Sequence, residues 1–375
     1  MSGRVIQRSA AGAIFAGGCA TLLGVGLQRF AYAPLLPAMV LAGWLGPGAA
    51  GVLGASNLAG YLVGAASAPA VARRFGLRAA LRAAMLMAPA CFALCAWPGG
   101  LAWFLPWRIL AGVSGGLLMV LAGPAIQQAV AAGQRSRAAG VMFGGVGLGI
   151  VAGALLVPLL LPTGLSITWL VLAAMGLTLA ALSWSRWPDV PPPPRLPVSA
   201  AGAWRLILCY ALAAAGATPQ MVWWPDYIAR GLRLGAAEGA AMWTAYGIAA
   251  AAGAVLCGTL ADRIGVRRLF CAVLSVQAAG LALPLLDTSL AALLASSVLA
   301  GASALSTAAL TLLLAKEVAG AASPGVWRIA TAAFGATQTA CGFGLAALYA
   351  ATGSHMPLFE VGLALTLASL PLARR

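Results

Sequence analysis

Apolar residues run along this chain in long unbroken blocks, and polar or charged residues collect in the short gaps between them. The blocks fall at 10–39, 48–70, 77–97, 100–126, 138–161, 165–185, 203–225, 239–261, 267–286, 289–314, 326–350 and 356–372. Each is near or above the ~20 residues that a helix needs to cross a bilayer. Outer-membrane barrels are excluded, because their strands alternate apolar and polar residues. In hydrocarbon a helix satisfies its backbone N–H and C=O groups internally, so each block predicts a helix. The pattern predicts an all-α membrane protein with twelve transmembrane helices.

Composition agrees. Of 375 residues, 62% are hydrophobic and 8% charged, and the mean hydropathy is +0.97. Soluble domains run at about 45–50% apolar and about 25% charged, so a water-soluble fold is excluded, and disorder with it. At about 30 residues per helix and loop, almost nothing remains for a soluble domain. Arg4 and Arg8 precede the first block as in a secretory signal. That block is far longer than the about 7–15 residues of a signal core, which predicts a retained first helix.

The net charge of +15 lies mostly in the gaps, where it reads as a topology signal and not as a nucleic-acid surface. With the N-terminus inside, eighteen Lys and Arg fall in the cytoplasmic gaps and the block ends beside them, and two, Arg230 and Arg233, fall outside; Arg29 and Arg108 lie deep within blocks. Both termini are expected in the cytoplasm. The seven cysteines all lie in apolar blocks and read as small core residues. His355 is the only histidine and falls in an outer loop. No metal-ligand set and no phosphate-binding loop are present, so no metal, cofactor or ATP drive is expected.

The segment RWPDVPPPPRLPVS (186–199) cannot continue a helix. It predicts an N-terminal six-helix half (1–185), a cytoplasmic Pro-rich linker (186–200) and a C-terminal six-helix half (201–375). An internal repeat agrees with that division. GAASAPAVARRFGLR (64–78) aligns with GAVLCGTLADRIGVR (253–267), with Gly64/Gly253, Arg74/Arg263, Gly76/Gly265 and Arg78/Arg267 among the identities. The run Gly144, Gly145, Gly147, Gly149 and Gly153 reads as a helix-packing face.

GTLADRIGVRR (258–268) resembles the loop motif of the major facilitator superfamily through Gly258, Asp262, Arg263, Gly265, Arg267 and Arg268. The first-half copy departs from it, with Arg73 in place of the Asp and Pro69 in place of the first Gly. RILAGVSGG (108–116) resembles the superfamily's fourth-helix motif through Arg108 and Gly112. GLQRFAYAPLLPAM (26–39) resembles the first-helix signature of the YbfB/YjiJ family of bacterial transporters. The resemblance implies a transporter of the bacterial inner membrane, with two halves related by a pseudo-two-fold axis and alternating access around a midplane site. It also implies a gating role for Asp262, Arg263 and Arg267.

Charges inside spanning helices are costly and usually face a cavity or a partner. Arg29 and Arg108 are the candidates for substrate binding; the bland alternative is that each binds backbone carbonyls. Tyr32, Asn57, Gln220, Trp223, Trp224 and Gln338 complete the candidate substrate site. Asp189 is the only acidic residue before residue 200, so no carboxylate neutralises the two arginines within the first six blocks. Asp226 and Glu360 are candidates for proton coupling, with helix-end solvation as the alternative. The expected function is secondary transport of a small organic solute, favoured as an anion. The rivals are proton-coupled efflux of amphipathic or drug-like compounds, and a non-transporting receptor or assembly factor. No catalytic constellation is present, so an enzyme is not expected. The expected partners are the substrate, protons and membrane lipid, with the protein a monomer.

Overall fold

The computed structural model describes residues 2–131, 135–188 and 202–374. Among them are thirteen α-helices and no strand. They are α1 (Ser2–Thr21), α2 (Tyr32–Leu41), α3 (Pro47–Phe75), α4 (Leu77–Leu94), α5 (Gly100–Ala129), α6 (Arg135–Leu160) and α7 (Leu165–Ser183). After the 189–201 segment, which lies outside the described residues and takes most of the Pro-rich linker with it, come α8 (Trp204–Asp226), α9 (Ala236–Ile264), α10 (Val266–Leu286), α11 (Leu290–Ala319), α12 (Ser323–Thr352) and α13 (Met356–Arg374).

A π-helix, Leu22–Phe30, joins α1 to α2, so the thirteen helices form twelve runs. Pro34 lacks the N–H that would bond the carbonyl of Phe30, and the regular ladder cannot pass that point unchanged. Nine helices among the described residues are long and apolar enough to cross a membrane. The remaining three, α3, α9 and α12, have 29, 29 and 30 residues. At about 1.5 Å per residue each exceeds the ~30 Å hydrocarbon core.

The chain forms two compact units, one of Met1–Leu45 with Ser56–Pro194, the other of Gly46–Ala55 with Arg195–Arg375. In the first, the glycines of α6 form a packing face. A Cβ on Gly149 would lie 2.6 Å from the Cα of Gly26, and one on Gly153 would lie 2.7 Å from the Cβ of Ala31. Gly145 faces Gly18, whereas Gly144 meets nothing and stands off the face. Outward positions of α6 and α7 carry exposed Leu148, Leu155, Leu159, Leu170 and Leu177, as expected where lipid is the solvent.

The same joints recur in the second unit. Gly112 of α5 abuts the carbonyl of Asn57, and Gly301 of α11 abuts the carbonyl of Tyr246. Gly64 abuts Val113, and Gly253 abuts Ala302. Each of these four residues in the second unit stands 189 places after its counterpart, the spacing of the sequence repeat. The turns recur as well. Gly76, between α3 and α4, has φ 84 and ψ 146; Gly265, between α9 and α10, has φ 87 and ψ 141. A Cβ is strained at such angles, and a single glycine makes each one-residue turn.

Polar residues in the helices of the second unit mostly bond their own backbone. On α11, Ser306 donates to Ala302 O, Thr307 to Ser303 O and Thr311 to Thr307 O. This satisfies the hydroxyls without a partner helix.

Candidate functional site

In the first unit, Arg108 sits on α5 with 1% of its surface exposed. Its Nη1 donates to the carbonyl of Gln28 at 3.1 Å, and its guanidinium lies 4.3 Å from the ring centroid of Tyr32. Asn57 Nδ2 donates to the backbone carbonyl of Arg108 at 3.1 Å, fixing α3 against α5 at that level. Arg108 Nε and Gln28 Oε1 are buried without a hydrogen-bond partner. Gln28 and Arg29 both lie on the π-helix, a conformation that often marks functional positions. Gln28 Nε2 donates to the carbonyl of Ala88 on α4. Arg29 is only partly buried, with its guanidinium 5.3 Å from the Phe30 ring and 6.0 Å from the Tyr61 ring. The two arginines therefore differ. Arg108 is fully buried against a backbone carbonyl and an aromatic ring, whereas Arg29 is partly exposed.

The second unit contains a different cluster. Asp226, at the end of α8, is 0% exposed. Both its carboxylate oxygens accept from Arg230, one turn on in a second π-helix, Tyr227–Gly231. His355 Nε2 lies 2.9 Å from Asp226 Oδ2, and His355 is 5% exposed. Asp226 is thus a buried, paired carboxylate, and not a helix-end group in solvent. His355 is packed into that pair and not free in a loop. Glu360, the other proton-coupling candidate, is exposed on α13.

The remaining candidates are mostly buried within the second unit. Gln220 Nε2 donates to Gly280 O at 3.0 Å and Ser296 Oγ at 2.9 Å. Trp224 Nε1 donates to Ser297 Oγ at 2.9 Å, and its ring meets Tyr227 and Phe359. Trp223 packs against Leu345, Ala346 and Leu358. Gln338 Nε2 donates to Ala214 O at 3.2 Å. Arg263 and Arg267 are exposed on either side of the Gly265 turn. The side chain of Asp262 lies outside the described residues.

The family described as "Uncharacterised MFS-type transporter YbfB" matches residues 21–373. This chain belongs to that family. It is therefore a multi-pass membrane transporter of the major facilitator superfamily, and its expected activity class is secondary transport. No curated protein matches the chain. A crystal structure of a D-xylose-proton symporter has the same fold, with a TM-score of 0.76 at 17% identity over 96% of this chain and 95% of that one. At that identity the likeness speaks for the fold alone. In this YbfB-family chain, the first-helix signature thus falls on the π-helix and α2, where Gln28 and Tyr32 meet Arg108.

Three residues of these clusters escaped the sequence reading. Gln28 directly precedes Arg29, and an amide within an apolar block was a legible signal. Arg230 stands four residues after Asp226, the spacing of a helical ion pair. His355 is 129 residues from Asp226, and no local pattern joins them.

Proposed function

We propose that this transporter moves a small organic anion across the bacterial inner membrane by alternating access. Arg29 is the anchor, and Arg108 is a second positive charge in the same unit. The observation that carries this reading is the charge environment of Arg108. It is a buried cation whose partners are a carbonyl and a ring, in a sequence with no acidic residue before Asp189. A buried charge without a counter-ion costs several kcal/mol, and a bound carboxylate would offset that cost. Arginine suits this role, because its fork grips a carboxylate through two parallel hydrogen bonds.

Tyr32, Asn57, Gln220, Trp223, Trp224 and Gln338 belong to this reading as the polar and aromatic surroundings of the substrate path, and Asp262, Arg263 and Arg267 as a gate. Protons are the coupling ion, with Asp226 favoured over the exposed Glu360. Both termini are cytoplasmic, from the charge asymmetry of the gaps, and the protein works as a monomer. Proton-coupled efflux of amphipathic or drug-like compounds is less well supported, because Asp226, the one fully buried carboxylate among the described residues, is already paired with Arg230 and so offers no free charge to a cationic compound.

The test is a thermal-shift panel of mono- and dicarboxylates on purified protein. At least one should raise the melting temperature of the wild type and leave Arg29→Ala unmoved. A full ligand-induced shift in Arg29→Ala would remove the anchor and, with it, the anion reading.

A further inference from the structure

We propose that His355 is a proton-binding site of this protein, and that the proton it takes fastens the start of α13 to the end of α8. This deepens the proton-coupled part of the function above, and it rests on that reading only for the use made of the proton.

The geometry assigns the ring nitrogens. Arg230 donates to both oxygens of Asp226, so each oxygen acts there as an acceptor. The 2.9 Å contact at Asp226 Oδ2 then requires the proton of neutral His355 to sit on Nε2. Nδ1 is left as the basic nitrogen. It lies beside Gly231, where a Cβ would come within 2.9 Å of it. A side chain at position 231 would crowd that edge of the ring.

The surroundings suit an imidazolium. The ring centroids of Tyr349 and Tyr227 lie 4.7 Å and 5.6 Å from that of His355, within the ~6 Å over which aromatic rings attract a cation. Tyr349 approaches from α12, and Tyr227 from the π-helix after α8. The other charged groups nearby in sequence, Arg233, Glu238 at the start of α9 and Glu360 on α13, are exposed.

Proton uptake moves one proton from water onto Nδ1 and breaks no covalent bond. The group Asp226–Arg230–His355 goes from neutral to a net charge of +1. The Nε2–H bond to Asp226 becomes a pair between two ions, about twice as strong as its neutral form. The segment that begins α13 is then held to the end of α8 more tightly in acid than in base. Histidine is the side chain whose unperturbed charge change falls between about pH 5 and 8, so the device would work across physiological gradients.

Because His355 is the only histidine, ¹⁵N-histidine labelling of the full chain, purified on a tag without histidine, reads this one ring. The expected result is a single imidazole titration between about pH 5 and 8, with the Nε2–H tautomer at the basic end. Asp226→Asn should lower the midpoint, because the anionic partner is gone. Gly231→Ala should also lower it by crowding Nδ1 while leaving the Asp226–Arg230 pair intact, so the proposal stays testable if Asp226→Asn fails to fold. The wild type should melt at a higher temperature at about pH 5.5 than at about pH 8, and His355→Gln should remove that difference. No titration between about pH 5 and 9, or an unchanged midpoint in both variants, would overturn the assignment. A lack of proton uptake by proteoliposomes supplied with organic anions would instead count against coupling, whatever the histidine titration shows.

Discussion

The two units repeat the same joints and place opposite chemistry on them. Gln28 donates to Ala88 in the first unit, and Gln220, 192 places on, donates to Gly280, 192 places after Ala88. Tyr32 lies against Arg108; Trp224, 192 places after Tyr32, donates to Ser297, 189 places after Arg108. One aromatic on the first helix of each unit thus meets one polar residue on the fourth. In the first unit that residue is a cation among neutral groups. In the second it is a neutral serine, and the charges are those of Asp226 and Arg230, which pair with each other beside His355. The comparison teaches that the same joint carries a buried cation in one unit and a neutral serine in the other, and the proposed anion site rests on that difference.

The largest expected effect comes from unpairing the second cluster. Asp226→Ala leaves Arg230 partly buried without its counter-ion and removes the acceptor of His355. A loss of about 3–5 kcal/mol follows, read as a fall in melting temperature in detergent. A fall no larger than that of a surface variant would show that the pair is not a structural element, and the contrast between the units would lose half its content.

Next is the reciprocal change in the first unit. Arg108→Ser copies the chemistry of Ser297 onto the equivalent place. It should leave folding nearly intact, because the burial cost of the charge is removed together with its hydrogen bond, while carboxylates lose most of their thermal shift. If the variant fails to fold, the repeated joints are less interchangeable than the comparison holds. Arg29→Lys tests the same unit more gently. It keeps the charge and loses the fork, so half-saturation should rise roughly tenfold, the equivalent of about 1.4 kcal/mol. An unchanged value would mean that Arg29 acts only as a point charge.

The turns provide a matched pair. Gly76→Ala and Gly265→Ala each force a Cβ into a backbone conformation that disfavours it, at a cost of about 1–3 kcal/mol. The two costs should agree closely, since the angles do; unequal melting shifts would show that one turn is strained by its setting. The smallest effect is expected at Glu360. It is exposed on α13, so Glu360→Gln should change stability by less than about 0.5 kcal/mol and leave transport rates at wild-type levels. A collapse of transport would return it to the proton path.

Much of the fold was legible because hydropathy is a local property. Twenty apolar residues form a spanning helix whatever they touch, and the short gaps show where each helix ends. The glycine face of α6 was legible too, although only the structure separates Gly145, Gly149 and Gly153, which touch a neighbour, from Gly144, which does not. The site was less legible. Arg29 and Arg108 stood out as charges in apolar blocks, but their sequence positions carried no information on how deeply each is buried. Asp226 read as a helix-end carboxylate because its place along the chain resembles one, yet it is fully enclosed.

By itself the sequence determined the membrane environment, the twelve helical runs, the two repeated halves and the family. Each of these follows from properties summed over tens of neighbouring residues, so errors at single positions cancel. Only the tertiary structure decided which charges are paired and which are held in neutral surroundings. Partners such as Asp226 and His355 are far apart in the chain and meet because separate helices pack side by side. A charge pair depends on a distance of about 3 Å, and no sum over a sequence window carries that information.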